Sequence, residues 1–529
     1  MRSKQAQGAQ SDHLEDSGGV SHSHAEEHKQ SQWQCIMNNK VCVAWLLYSI
    51  LVLCIQGFDN QAGSIVVGIE QFRKDFGNEY EGNYVLPTKW QSAFSGGPVA
   101  SAIIGALASA QLADTIGRRW TILIAICISF VGTGLEFAST TCALFFAGKF
   151  VNGLSVGAFN TVCVSYISEI APTTVRGLFT GLANVSLCIG PFICTGLGER
   201  YGNLTNHWAY RGIFVAQWGF GVLGLIFCPF MPESPWWLLS VGKIEKARNS
   251  LSRLGVPDDH IDTHIEEIRV TQLRAEAQTT SASYLECFRG TNLRRTLLTI
   301  CPLTVQAMSG VMFVSSYQTY YFELAGNSVH RSFQLSLGAQ GLSLLGSLSA
   351  SVLIDRFGRR TVIVYGTLAM TVVLMLTGGL GSSNHKGTIN ATIGFMMLYN
   401  LVFNFCLGSA AYTIISEIPT FSLRAKSIGL SIVCQQALYT AQAFVLPYIF
   451  NPDKANLGAK TAFIYGGFCA ISLVILFVYQ PETKGRTYEE LDELFINKVP
   501  ALKFPEYVTT VQAEAQAEEE ANIKRDAKV

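Results

Sequence analysis

Asp114-Thr-Ile-Gly-Arg-Arg119 stands between two long apolar runs, and 241 residues later Asp355-Arg-Phe-Gly-Arg-Arg360 does the same. A charged loop repeated at that separation says that one membrane unit has been laid down twice, a construction common among secondary transporters. Two more pairs follow in the same order. Ser168-Glu-Ile-Ala-Pro172 with Arg176-Gly177 matches Ser416-Glu-Ile-Pro419 with Arg424, the Glu and the Arg each displaced by 248 residues. Pro232-Glu-Ser-Pro235 and Pro481-Glu-Thr-Lys-Gly485, 249 residues apart, end the two halves.

A bilayer core takes roughly 20 mostly apolar residues per helix. Six runs in the first half meet that requirement, at 42–65, 89–112, 120–139, 142–166, 178–198 and 211–230. Six more follow at 297–322, 332–354, 361–381, 391–415, 427–449 and 461–479. The expected fold is an all-α membrane protein, with twelve transmembrane helices in two pseudo-symmetric six-helix halves. On this division residues 1–41 are a disordered cytosolic tail and 42–230 the N-terminal bundle. Residues 231–296 are a cytosolic, partly helical linker, 297–479 the C-terminal bundle, and 480–529 a cytosolic tail.

The composition agrees: beside 49% hydrophobic residues, only 14% are charged, well below the roughly 25% of an ordinary globular domain. A net charge of zero offers no field for nucleic acid. The 14 cysteines form no CxxC pair and many lie in apolar runs, where Cys packs as a small residue. His22, His24 and His28 offer a metal-binding alternative, against which the polar tail reads as solvated. No metal or cofactor is expected. The soluble segments hold no nucleophile–base pair, metal cluster or phosphate loop, which argues against an enzyme. Gly96-Gly97 and Gly378-Gly379 read as helix packing.

With the N-terminus inside, Arg118, Arg119, Arg176, Arg356, Arg359, Arg360, Arg424 and Lys426 all fall in the cytosol, as the positive-inside bias requires. Both termini are then cytosolic. The sequons at Asn203 and Asn390 fall in loops placed outside, as glycosylation would need, whereas that at Asn184 lies within a span.

These motifs resemble the signature of the sugar porter family of the major facilitator superfamily, over about residues 45–495. Val305-Gln-Ala-Met-Ser-Gly310 and Tyr317-Gln-Thr-Tyr-Tyr-Phe-Glu-Leu-Ala-Gly326 look most like the fungal maltose and α-glucoside permeases. The resemblance implies sugar transport across the plasma membrane by alternating access, by facilitated diffusion or proton symport, in a monomer whose partners are sugar, proton and lipid bilayer.

Asp114, Arg118, Arg119, Glu169 and Arg176, with Asp355, Arg359, Arg360, Glu417 and Arg424, place acceptors and cationic forks at helix ends. Such groups can pair across the halves when the cytosolic side is closed and part when it opens. The plainer alternative is that they fix topology and solvate loop ends. Ordered repetition favours a gate.

Asp59, in Gly57-Phe-Asp59, lies within the first span, where an ionisable group costs roughly 2.5–3.5 kcal/mol to insert and is a functional candidate by default. Lys149 lies at comparable depth in the fourth. The family's proton-coupled members carry Asp at the first position and usually Arg at the second. Lys keeps the charge and loses the bidentate fork. A protonation switch and a static ion pair are the alternatives, and the cost of burial favours the switch.

Position by position, the family's sugar contacts fall on Asn184, Gln306, Tyr317, Tyr412 and Gln435. Polar residues in spans also bond neighbouring helices, an alternative that weighs most on Asn184 and Gln436. Hexose carriers typically have a second Gln and then Gly-Ile-Asn, where this chain has Ala307 and Gly310-Val-Met312. Their usual tenth-segment Trp is here Tyr412, and their fifth-segment Gln is Asn184. A roomier pocket suits a disaccharide. The alternatives are a facilitative hexose or polyol carrier, or a transporter-like nutrient sensor.

Overall fold

The structure is a computed structural model describing residues 32–80, 83–202, 204–276, 283–324, 326, 329–383, 385–450, 455 and 457–510. Among the described residues, twelve helical segments are long and apolar enough to cross a membrane. Spans 1 to 6 are Lys40–Gly68, Thr88–Ile116, Arg118–Ala138, Cys142–Ile170, Thr173–Tyr201 and Trp208–Phe227. Span 7 is Gly290–Met308 continued by Val311–Leu324, and spans 8 and 9 are Val329–Phe357 and Arg359–Leu380. Span 10 runs from Lys386 to Phe403 and, after a turn, from Ser409 to Glu417. Spans 11 and 12 are Arg424–Phe450 and Thr461–Tyr479. Their outward faces carry apolar side chains such as Leu345, Val352, Tyr365, Ile471 and Val474, the covering that hydrocarbon requires.

Packing follows the duplication. Span 1 packs on span 5, and span 4 on spans 2 and 3; in the second half span 9 packs on span 12. Between the halves, span 2 meets span 11 and span 5 meets span 8, two equivalent seams. Spans 2 and 4 touch backbone to backbone. A Cβ on Gly157 would stand 2.0 Å from the Ala102 carbonyl oxygen, and one on Gly105 2.0 Å from that of Leu154. Small residues are how helices gain van der Waals contact in a solvent as apolar as themselves.

Two runs read as continuous spans are broken. Span 7 is interrupted at Ser309-Gly310, where Gly310 has φ +91° and its Cα faces Tyr465 too closely for a side chain. Span 10 carries a π-helical turn over Asn404–Gly408, which frees backbone groups midway across the bundle. Apolar periodicity cannot register either break, because the flanking residues stay apolar.

Helices also form outside the spans. The tail read as disordered to residue 41 is helical over Gln32–Asn38, where Cys35 and Ile36 pack against the first-half core. The linker forms helices Pro235–Ser240, Ile244–Arg253 and Asp258–Glu276. After span 12, Thr487 and Glu490 form a capping box that starts the helix Tyr488–Ile496. Its Leu491, Leu494 and Phe495 enter the second-half core. Apolar residues at i, i+3 and i+4 explain the docking.

Gly157→Val should push spans 2 and 4 apart and cost about 1–3 kcal/mol, as overpacking does. A lowered thermal unfolding midpoint in detergent checks this; an unchanged midpoint would contradict the close approach.

Candidate functional site

Three groups of polar residues lie along the bundle. The first is at the end bearing the Gly-Arg-Arg loops, called the motif end below. Gly117 (φ +98°) and Gly358 (φ +90°) turn span 2 into span 3 and span 8 into span 9. Each new helix starts on a carboxylate. The Arg118 and Arg119 amides donate to Glu233 at 2.8 and 3.2 Å, and those of Arg359 and Arg360 to Glu482 at 2.9 and 3.1 Å. A Cβ on either glycine would lie 2.5 Å from that carboxylate. The Pro-Glu motifs ending the two halves thus supply anions to helix N-termini. Burial pushes the Glu233 carboxyl up, against the pull of the Ser234, Arg119 and Arg118 amides.

The side chains pair within each half. Arg118 meets Glu169 at 2.9 Å and Asp114 at 3.7 Å; Arg359 meets Glu417 at 3.0 Å and Asp355 at 2.7 Å. Ser165 and Thr483 each donate to the glutamate of their own cluster. Both Arg–Glu pairs stay within one bundle, because the start of span 3 and the end of span 4 are neighbours there, so contact across the halves falls to other groups. Arg119 and Arg360 stand apart from the carboxylates, their guanidiniums donating to the carbonyls of Pro229 and Phe477.

Other groups cross the seam. Lys426 pairs with Asp114, and a Cβ on Gly177 would lie 2.1 Å from Asp355 Oδ1. Gln32 donates to Asp355 at 2.8 Å. Arg176 and Arg424 each place the guanidinium carbon 4.0 Å from the ring centroid of Tyr488, which two cations reach only from opposite faces. The Tyr488 hydroxyl donates to the Ser168 carbonyl at 3.0 Å. Arg176 also donates to the Arg486 carbonyl, whereas no nitrogen of the fully buried Arg424 guanidinium finds an acceptor among the described residues. Aromatic faces of Tyr488, Phe421 and Trp236 surround it. Lys426 and Tyr488 look in sequence like ordinary loop or helix-end residues, whereas Glu233 and Glu482 stand in the repeated Pro-Glu motifs, the signal that could have assigned them a contact.

The second group is buried among spans 1, 3, 4 and 6. Lys149 Nζ lies 2.9 Å from Asp59 Oδ1, so the structure brings the two expected residues together. It adds Glu136, whose Oε2 is 3.3 Å from the same ammonium. Asn152 donates to both carboxylates, at 2.8 Å to Asp59 and 3.2 Å to Glu136, and Gln217 donates to Asp59 at 3.3 Å. All three charged side chains are at most 3% exposed. Glu136 escaped notice because it sits at the edge of an apolar run, where Glu usually means a solvated end.

The third group lies between the halves. Gln435 donates to Gln306, whose own amide reaches the Leu407 carbonyl in the π-helical turn. Tyr412 is buried in an apolar cluster that also holds Phe159, Val162 and Ala183 of the first half. Asn184 donates across the seam to Ser347 at 2.9 Å and Asn404 at 3.0 Å, so its amide fastens spans 5, 8 and 10. Tyr317 lies on the second part of span 7, its side chain outside the described residues. Asn203 is also outside them. Asn390 is exposed, in the helix that opens span 10 rather than in a loop.

A family model described as "Sugar (and other) transporter" matches residues 43–495. The general alpha-glucoside permease of Saccharomyces cerevisiae is 30% identical over 491 residues, 91% of this chain and 79% of the permease. Maltose permease MAL31 of the same yeast is 27% identical over 492 residues, 91% and 80% of the two chains. Among solved structures, the major facilitator superfamily proton:xylose symporter XylE bound to 6-bromo-6-deoxy-D-glucose aligns with a TM-score of 0.76 at 21% identity. That alignment covers 87% of this chain and 100% of the other. XylE from E. coli in an inward open conformation gives 0.63 at 18% identity, covering 86% and 99%.

Tyr488→Ala should remove two stacks worth about 0.5–2 kcal/mol each and leave Arg424 buried without its ring. Tyr488→Phe keeps both stacks and loses one hydrogen bond of about 1 kcal/mol. Thermal unfolding in detergent should therefore rank wild type, Phe, then Ala. Equal midpoints for Phe and Ala would refute the double stack.

Proposed function

The chain belongs to the sugar (and other) transporter family within the major facilitator superfamily, and from that premise we propose that it imports an α-glucoside such as maltose together with a proton. It is a multi-pass membrane transporter. The proposed site of action is the plasma membrane, with the motif end and both termini in the cytosol and a monomer as the working unit. The arginines and lysines gathered at the motif end support that orientation.

The observation that carries symport is the Asp59–Lys149 pair, 2.9 Å apart and sealed from solvent within membrane spans. A carboxylate at such a site is stable only while its cation stays with it. A proton from outside neutralises Asp59 and releases Lys149, and the change of partner biases the halves toward another arrangement. The contacts at the motif end, from Lys426–Asp114 to the Tyr488 stack, hold the cytosolic side shut in this reading. They part when sugar and proton together favour the inward-facing state.

Sugar recognition falls to Gln306 and Gln435, with Tyr317, Tyr412 and Asn184 around them. Amides supply donors and acceptors for sugar hydroxyls, and aromatic faces stack on the ring. Asn184 is engaged with Ser347 and Asn404, so it contributes only after the seam at spans 5 and 8 loosens. Ala307, where hexose carriers have a second Gln, and the altered Val311-Met312 favour a disaccharide in this reading. A second reading, an uncoupled carrier of a hexose or polyol, is favoured by one observation: Asp59 is already bonded by Lys149, Asn152 and Gln217, as a static pair would be.

Uptake of labelled maltose into transporter-deficient cells should collapse when a protonophore abolishes the gradient, and maltose should compete better than glucose. Uptake indifferent to the gradient would sink symport. Asp59→Asn should abolish accumulation above the outside concentration; full accumulation by that variant would remove Asp59 from the mechanism.

A further inference from the structure

The buried cluster holds two carboxylates and one ammonium. Asp59 comes from span 1, Glu136 from span 3 and Lys149 from span 4; Asn152 of span 4, Gln217 of span 6 and Cys194 of span 5 face them. With both carboxylates ionised the cluster carries one uncompensated negative charge at sites no more than 3% exposed. An unpaired ion so placed costs several kcal/mol even after relaxation. One bound proton removes that charge.

The hydrogen bonds say where it sits. Asp59 Oδ1 receives Lys149 at 2.9 Å, Asn152 at 2.8 Å and Gln217 at 3.3 Å, the setting of an anion. Among the described residues Glu136 receives one longer bond, from Asn152 at 3.2 Å, and its Oε2 accepts none while facing Lys149 at 3.3 Å. The placement is built into the packing. A Cβ on Gly148 would lie 2.8 Å from Glu136 Cγ, and one on Gly132 2.8 Å from the Asn152 backbone nitrogen, so spans 3 and 4 close only with glycine at both positions.

We infer that Glu136 is a second proton-binding carboxylate of the coupling site, protonated while the Asp59–Lys149 pair is sealed. This rests on the symport reading above. The step is the binding of one proton from solution to the Glu136 carboxylate, which leaves a neutral cluster. Its release makes Lys149 serve two anions, weakens the hold on Asp59, and so couples the charge on span 3 to the pair between spans 1 and 4.

Infrared difference spectra of the purified full-length transporter at neutral pH should show the carbonyl stretch of a protonated carboxylic acid. That band should vanish in Glu136→Gln and persist, shifted, in Glu136→Asp. In proteoliposomes, maltose-elicited proton uptake per sugar should fall to background in Glu136→Gln and be retained in Glu136→Asp. A wild-type spectrum with no band lost in Glu136→Gln overturns the assignment whatever the transport result. Wild-type proton uptake that Glu136→Gln leaves unchanged overturns the role of Glu136 and leaves symport standing. A Glu136-dependent band with no wild-type proton uptake sinks the symport reading and the coupling role together, while the proton position survives. Loss of folding in both variants, read by gel filtration, makes Glu136 a packing group and overturns the coupling role.

Discussion

A charge in the hydrocarbon core has no water to turn to, so every ion there must find its partner within the protein. That constraint organises this structure at two levels. Deep in the first half it gathers Asp59, Lys149 and Glu136 around one ammonium, with amides filling the remaining positions. At the motif end it fixes Arg118 to Glu169 and Arg359 to Glu417, where both partners are nearly fully buried. Breaking such a pair without replacing it costs several kcal/mol, so the pairs change only when a proton, a sugar or a rearranged helix supplies the alternative.

The duplicated motifs serve as joints. In each half one glycine with positive φ lets the chain turn, and one glutamate receives the first amides of the next helix. The intra-half Arg–Glu pairs then hold the joint rigid. What crosses between halves is chemically different on the two sides. Lys426 reaches Asp114, whereas Gly177 brings the bare start of span 5 onto the Asp355–Arg359 pair. The pseudo-symmetry is therefore broken at the seam itself, where an exact copy would have placed a lysine against both aspartates.

Twelve spans and the ordered motifs were legible because a bilayer imposes length and apolarity, and because a repeat of 241 to 249 residues is visible in one sequence. The Asp59–Lys149 pair was legible for the same reason: charges inside apolar runs stand out. Glu136 was not, since a residue at the edge of a run gives no sign of depth. The breaks at Gly310 and Asn404–Gly408 were hidden because hydropathy measures side chains and these are backbone events. Asn184 meets the alternative weighed for it from the sequence, a bond to neighbouring helices. Its amide reaches Ser347 and Asn404, a choice made by the opposing helices.

Duplication gives two of everything, yet Arg176 and Arg424 share a single Tyr488. That ring follows the twelfth span, so the ribosome makes it after every membrane helix. Closure of this end therefore draws on three parts of the chain at once: one arginine from each bundle, and a ring from the segment that follows both.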